Sequence, residues 1–231
     1  MTSGRLPTLR LADEFFLAAH AHDATRMGPR LLPVVLSIGL AGALLAELML
    51  DNRLGQVEGY ILAANPRALR GRHRSVGVSD SVSEEFLEQI ADHPGQSVSA
   101  WLSQLRHSST EGVTERLRAA GVLRQVVLRR WWGGVAVEYQ AVDPDQALRP
   151  EARILGVASR RTSDTSLPAA VLVGLSDATG LRDKLPVWGQ SSAEVKVRMS
   201  RLRDTLPAPL RGLLADVETT VGAAMLSTGH H

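Results

Sequence analysis

The chain of 231 residues contains no cysteine, which excludes disulfide scaffolds, zinc–cysteine and iron–sulfur sites, and cysteine nucleophiles. Lysine is nearly missing: Lys184 and Lys196 are the only two among 26 basic residues. A chain this rich in Arg and Ala fits a GC-rich genome. Aromatic residues make up 4%, so a core must come from Leu, Val and Ala, and Leu and Ala favour helix over sheet. The net charge is +2, too small for a polycation, so anion binding depends on local clustering. Catalytic fingerprints are missing too. There is no G-x-S-x-G elbow and no H-E-x-x-H pair, and Gly39-Leu40-Ala41-Gly42 lacks the ending and the strand-to-helix setting of a phosphate loop. The chain therefore reads as non-catalytic and without a cofactor. The start, MTSGRLPTLRLADEFF, has no apolar run with a small-residue cleavage site, so it does not read as a signal peptide and predicts a cytoplasmic protein.

Apolar residues reach 44% and charged residues 22%, the balance of a globular domain rather than a disordered chain. Residues 1–7 read as a loose tail, with one domain over residues 8–228. Thr8 is positioned to cap a helix from Leu9 to about Ala21. Leu31–Leu50 is the most apolar stretch, with Glu47 its only charge. A helix that is apolar all round either crosses a membrane or lies at the centre of a bundle. Glu47, the packing residues Gly39 and Gly42, and the lack of a one-sided basic flank favour the buried central helix.

Further on, Arg53–Ala63 predicts two short strands around Gly59, and Asn65–Asp80 a loop. Ser81 and Glu84 have the spacing of a capping box for a helix through about Ala91. Another helix starts at Ser97, and a separate one spans Glu111–Ala120 and stops at Gly121. Arg124–Val142 changes to a β period around Trp132-Gly133-Gly134, the best hairpin signal in the chain. Further helices are expected from Pro150, from Pro168 to near Gly180, from the capping box Ser191/Glu194 to about Asp204, and over Pro209–Ser227. The fold class is mainly α: a compact helical bundle around a buried central helix, with a protruding β-hairpin.

Three polar clusters stand out. His20, His22 and Asp23 spell H-x-H-D, but at a helix end positions two apart face different ways, so surface histidines are expected rather than a metal site. Arg129, Arg130, Trp131 and Trp132 gather basic and indole groups near the hairpin tip. Trp prefers the headgroup level of a bilayer, and arginines there meet lipid phosphates. Arg67, Arg70, Arg72 and Arg74 place four arginines within eight residues, suited to bidentate phosphate contacts. The alternatives are a hairpin packed on the helices with solvated arginines, and a winged-helix-like regulator binding DNA or a protein partner. For the last, EGVTERLRAA is a poor groove reader, since two glutamates offset its two arginines.

The run Gly39–Leu54, GLAGALLAELMLDNRL, resembles the central helix of the Golgi phosphoprotein 3 (GPP34) family, whose bacterial relatives share the domain. Gly39, Leu40, Gly42, Leu45, Glu47, Leu48, Leu50, Arg53 and Leu54 carry the match. LRLADEFFLAA, SDSVSEEFLEQI, VSAWLSQL, RLRAAGVL and LPAAVLVGLSDATGL resemble further family motifs in the same order. The resemblance spans roughly residues 8–226. It implies a helical fold with a protruding hairpin and a non-catalytic cytosolic adaptor at membranes. In eukaryotic members such a protein binds phosphatidylinositol 4-phosphate and retains glycosyltransferases, and its hairpin aids membrane insertion and self-association as dimer or tetramer. At the four positions corresponding to the eukaryotic headgroup pocket this chain has Leu32, Ala41, His107 and Thr110, so the pocket residues are not retained. The resemblance then implies a less specific anionic lipid surface as partner, with nucleic acid unexpected.

Overall fold

The computed structural model describes residues 8–22, 27–57, 59–63, 81–129, 135–159, 166–186 and 192–228. Among them are eight α-helices: α1 (Leu11–Ala18), α2 (Pro33–Leu50), α3 (Ser81–Asp92), α4 (Val98–Ala119), α5 (Pro144–Ala158), α6 (Leu167–Ala178), α7 (Ser192–Asp204) and α8 (Ala208–Thr228). Three antiparallel hairpins join them: β1 (His20–His22) with β2 (Met27–Pro29), β3 (Leu54–Val57) with β4 (Tyr60–Ala63), and β5 (Leu123–Arg129) with β6 (Val135–Ala141). The chain is mainly α with small hairpins, as its composition requires. The tail, residues 1–7, lies outside the described residues.

Helix α2 is the spine. Pro33 opens it at the first turn, where a missing N–H costs nothing. Its end is closed by Asn52, which takes φ 54° while the Arg53 N–H donates to the Leu48 carbonyl at 2.8 Å. By length and composition α2 is able to cross a membrane, yet 78% of it is buried inside the protein. It packs against α1, α3, α4, α6 and α8, as expected for a helix apolar on every side. Close approach explains two glycines. A Cβ at Gly39 would sit 2.6 Å from the Phe15 ring of α1, and one at Gly42 would sit 2.6 Å from Val217 of α8.

The spine's single charge is matched inside the core. Glu47, 3% exposed, accepts hydrogen bonds from the Ala12 N–H at 2.7 Å and the Ser83 hydroxyl at 3.1 Å. Arg116 of α4 donates to both Glu47 oxygens at 3.1 Å, and its Nε donates to Asp13 Oδ1 at 2.8 Å. Arg10 adds a contact at 3.2 Å. Burial pushes the Asp13 carboxyl above its ordinary value, against the pull of Arg116. Burial also works against the Arg116 charge, but Glu47 and Asp13 more than restore it, so its pKa lies above the ordinary arginine value. Four helices are thereby tied at one point.

Several boundaries differ from those expected. α1 starts at Leu11, because Asp13 accepts the Arg10 N–H at 2.9 Å, and it stops at Ala18. His20 is therefore on a strand, and it is buried rather than at the surface. Its Nδ1 lies 2.7 Å from the Phe16 carbonyl, and its ring stacks on Phe16. The side chain of His22, and Asp23, lie outside the described residues. The two helices expected around Ser97 and Glu111 are one continuous α4 of 22 residues. Pro150 lies inside α5, which begins at Pro144 with Asp143 as its cap. Ser81 is the first residue of α3, and the Glu84 carboxylate takes both Nη atoms of Arg53. Ser191 lies outside the described residues.

Candidate functional site

The strongest hairpin signal in the sequence is a seven-rung ladder. α4 closes in a Schellman turn at Gly121, φ 71°. The Gly121 N–H donates to Arg118 and the Val122 N–H to Leu117, while Val122 and Leu117 bury together. That turn aims β5 away from the helix end. The register runs from Leu123↔Ala141 to Arg129↔Val135. At the root Leu123 is 2% exposed, and Tyr139 and Ala141 pack against the core. Arg124 donates across the ladder to Gln140 at 3.0 Å. Four residues out, Val127 is 57% exposed, so the ladder leaves the bundle as it extends.

The backbone places Arg129 on the last rung. Its side chain, with Arg130, Trp131 and Trp132, lies outside the described residues. So do Arg67, Arg70, Arg72 and Arg74, in the stretch between β4 and α3. The structure therefore describes the two strands that flank the Arg-Trp cluster in sequence.

Next to the hairpin root is a cleft of about 870 Å³ between α3, α4 and β6. Sequence reasoning missed it as a cavity, because its walls come from three separate elements. Glu85, Glu111 and Glu115 supply carboxylates, Tyr139 closes one side, and His107 and Thr110 line the floor. Among the described residues no Arg or Lys lines it. Glu115 is bound by Arg118 at 2.7 Å, which holds its carboxyl below the ordinary range. Of the four headgroup-pocket positions, His107 and Thr110 are on this cleft, Leu32 is exposed at the start of α2, and Ala41 is fully buried within it. With Glu115 already paired to Arg118, Glu85 and Glu111 still leave the described lining acidic, which repels a phosphate rather than holds it.

Asp13, Glu47 and Arg116 are bonded to one another and to Arg10, the Ala12 N–H and Ser83, so the set serves packing. Among the described residues no group of three His, Asp or Glu is arranged to hold a metal ion. Arg116 also bears on the winged-helix alternative. It is buried, and Arg118 is paired with Glu115, so the helix before the hairpin offers no free basic face at these two arginines.

The α2 spine with Glu47 and the β5–β6 hairpin both lie inside a stretch that a family model matches. The model of Golgi phosphoprotein 3 (GPP34) matches residues 11–222. The chain belongs to the Golgi phosphoprotein 3 family. No curated protein matches it. The matched Golgi phosphoprotein 3 stretch takes in both the α2 spine and the β5–β6 hairpin.

Proposed function

We propose that this protein is a non-catalytic peripheral-membrane adaptor, which meets anionic lipid headgroups through the end of the β5–β6 hairpin. Arg129, Arg130, Trp131 and Trp132 carry the contact, with Arg67, Arg70, Arg72 and Arg74 as a second basic stretch. Membership of the Golgi phosphoprotein 3 family, a family of non-enzymatic adaptors, supports the absence of catalysis. The observation that carries the reading is the ladder itself. It is buried at Leu123, exposed at Val127, and continues in sequence into Arg-Arg-Trp-Trp. Indole rings settle at the headgroup level, and each nearby arginine contributes about 1 kcal/mol on an anionic surface. Recognition of a phosphorylated inositol in the α3–α4 cleft is not part of the proposal, because the cleft is lined by acids. The protein acts at the cytoplasmic face and assembles as a dimer or tetramer.

Vesicle co-sedimentation tests this. The native protein pellets with phosphatidylglycerol-containing vesicles and not with phosphatidylcholine alone. Trp131→Ala/Trp132→Ala reduces pelleting at least tenfold with unchanged circular dichroism. Failure of the native protein to pellet with any vesicle refutes the membrane role.

A further inference from the structure

The β3–β4 hairpin has two unlike faces. Its register pairs Leu54 with Ala63, Gly55 with Leu62, Gln56 with Ile61 and Val57 with Tyr60. Alternation sends Leu54 and Ile61 into the core, at 5% and 0% exposure, and sets Gln56 against Gly212 of α8. The opposite face carries Val57, Tyr60 and Leu62, at 57%, 49% and 42% exposure. Nothing lies within 4 Å of a Cβ built on Gly55, so the face is open as well as apolar. Antiparallel hairpins with one face in water ordinarily make that face polar.

The hairpin is held firmly. The Ile61 N–H donates to the Gln96 carbonyl and the Val98 N–H to the Gly59 carbonyl, which fastens β4 to the chain entering α4. The sequence that leaves β4, residues 64–80, carries Arg67, Arg70, Arg72 and Arg74 against the single acid Asp80. An apolar face joined in sequence to a basic stretch suits an anionic bilayer, where apolar side chains reach the acyl boundary, Tyr stays at headgroup level and arginines meet phosphate.

We propose that the outward face of β3–β4, formed by Val57, Tyr60 and Leu62, is a second lipid-inserting surface for anionic membranes. It rests on the membrane role proposed above but is separate from the β5–β6 tip. β3–β4 is fastened at the start of α4 and β5 leaves from its end, and α4 has 22 residues, so about 33 Å of helix separates the two hairpins. Two linked contacts on one bilayer bind more tightly than either alone.

The absence of cysteine makes the test clean. Leu62→Cys, Val127→Cys and Val197→Cys are each labelled with an environment-sensitive dye and mixed with phosphatidylcholine–phosphatidylglycerol vesicles. Val197, on α7, is 52% exposed and serves as the control. The expected result is a blue shift at positions 62 and 127 and none at 197. Tyr60→Ser/Leu62→Ser then weakens vesicle partition about tenfold, equal to about 1.4 kcal/mol, with unchanged circular dichroism. A shift at 127 without one at 62 overturns this inference and leaves the β5–β6 reading standing. No shift at either position defeats both. A shift at 62 that follows protein concentration without vesicles assigns the face to contacts between copies, and also overturns it.

Discussion

Replacing Arg116 by Met should be the most informative change in the core. The side chain is 3% exposed and joins Glu47 and Asp13, which are buried too. Removing it leaves Glu47 with Arg10, the Ala12 N–H and Ser83. Asp13 is left with only the Arg10 N–H among the bonds described here. Breaking a buried pair from one side costs about 3–5 kcal/mol, and the surviving Arg10 contact puts the expected loss near the lower end. For a chain of this size that is roughly a 6–12 °C fall in melting temperature. The pH dependence has a definite sign. The Asp13 pKa is raised in the folded protein, so the folded state holds that proton more tightly. Its contribution to stability therefore declines as pH climbs through the unfolded value of 3.8 to the higher folded one. Losing Arg116 removes the largest influence lowering that pKa. The deficit of Arg116→Met should thus be larger at neutral pH than near pH 4. The triple change Arg116→Met/Asp13→Leu/Glu47→Met should recover much of the loss, since an apolar replacement of a whole buried ion cluster is often neutral. Urea unfolding followed by circular dichroism measures all three. A deficit under about 1 kcal/mol, or one equal at both pH values, would refute the argument.

The remaining expectations concern close contacts and turns. Gly39→Ala forces a methyl to within 2.6 Å of the Phe15 ring and 3.0 Å of Thr179, and should destabilise by about 1–3 kcal/mol. Gly55→Ala, which meets nothing within 4 Å, should leave the melting temperature nearly unchanged. Asp143→Ala removes the side chain that accepts the Asp145 and Gln146 N–H groups at the start of α5, a loss of about 1 kcal/mol by urea titration. Gly121→Ala places a Cβ at φ 71° and should cost about 1–2 kcal/mol, visible as faster amide exchange at Val122 and Leu123.

The spine was legible because one acid and two tightly placed glycines within twenty near-continuous apolar residues favour a buried helix over a membrane-crossing one. The β5–β6 hairpin was legible from its change of period. The continuity of α4 was not, because Arg106–Thr110 reads as a break. In the structure the Ser108, Ser109 and Thr114 hydroxyls bond back to carbonyls within the helix, and Ser109 also donates to Ser37 of α2. These groups support the helix instead of ending it. The Asp13–Glu47–Arg116 cluster left a fainter trace. Arg116 follows Val113 by three positions and precedes Leu117 by one, so it shares the buried side of α4. Its partners are 103 and 69 residues away in sequence, and no local pattern links them. The α3–α4 cleft and the outward side of β3–β4 were hidden for the same reason, since each depends on which neighbours fail to cover a surface.

The 69 positions between Glu47 and Arg116 also bear on how the protein is made. At ribosomal rates of about 5–20 residues per second, roughly 3–14 s pass between the emergence of the two partners. During that interval the acids of α1 and α2 have Arg10 but not yet Arg116, and burying two carboxylates against a single cation is costly. The first two helices therefore cannot complete their buried contact until the fourth is synthesised. The N-terminal third of the chain accordingly cannot complete its share of the core early, and a ribosome stalled before residue 116 should expose an apolar segment that chaperones bind.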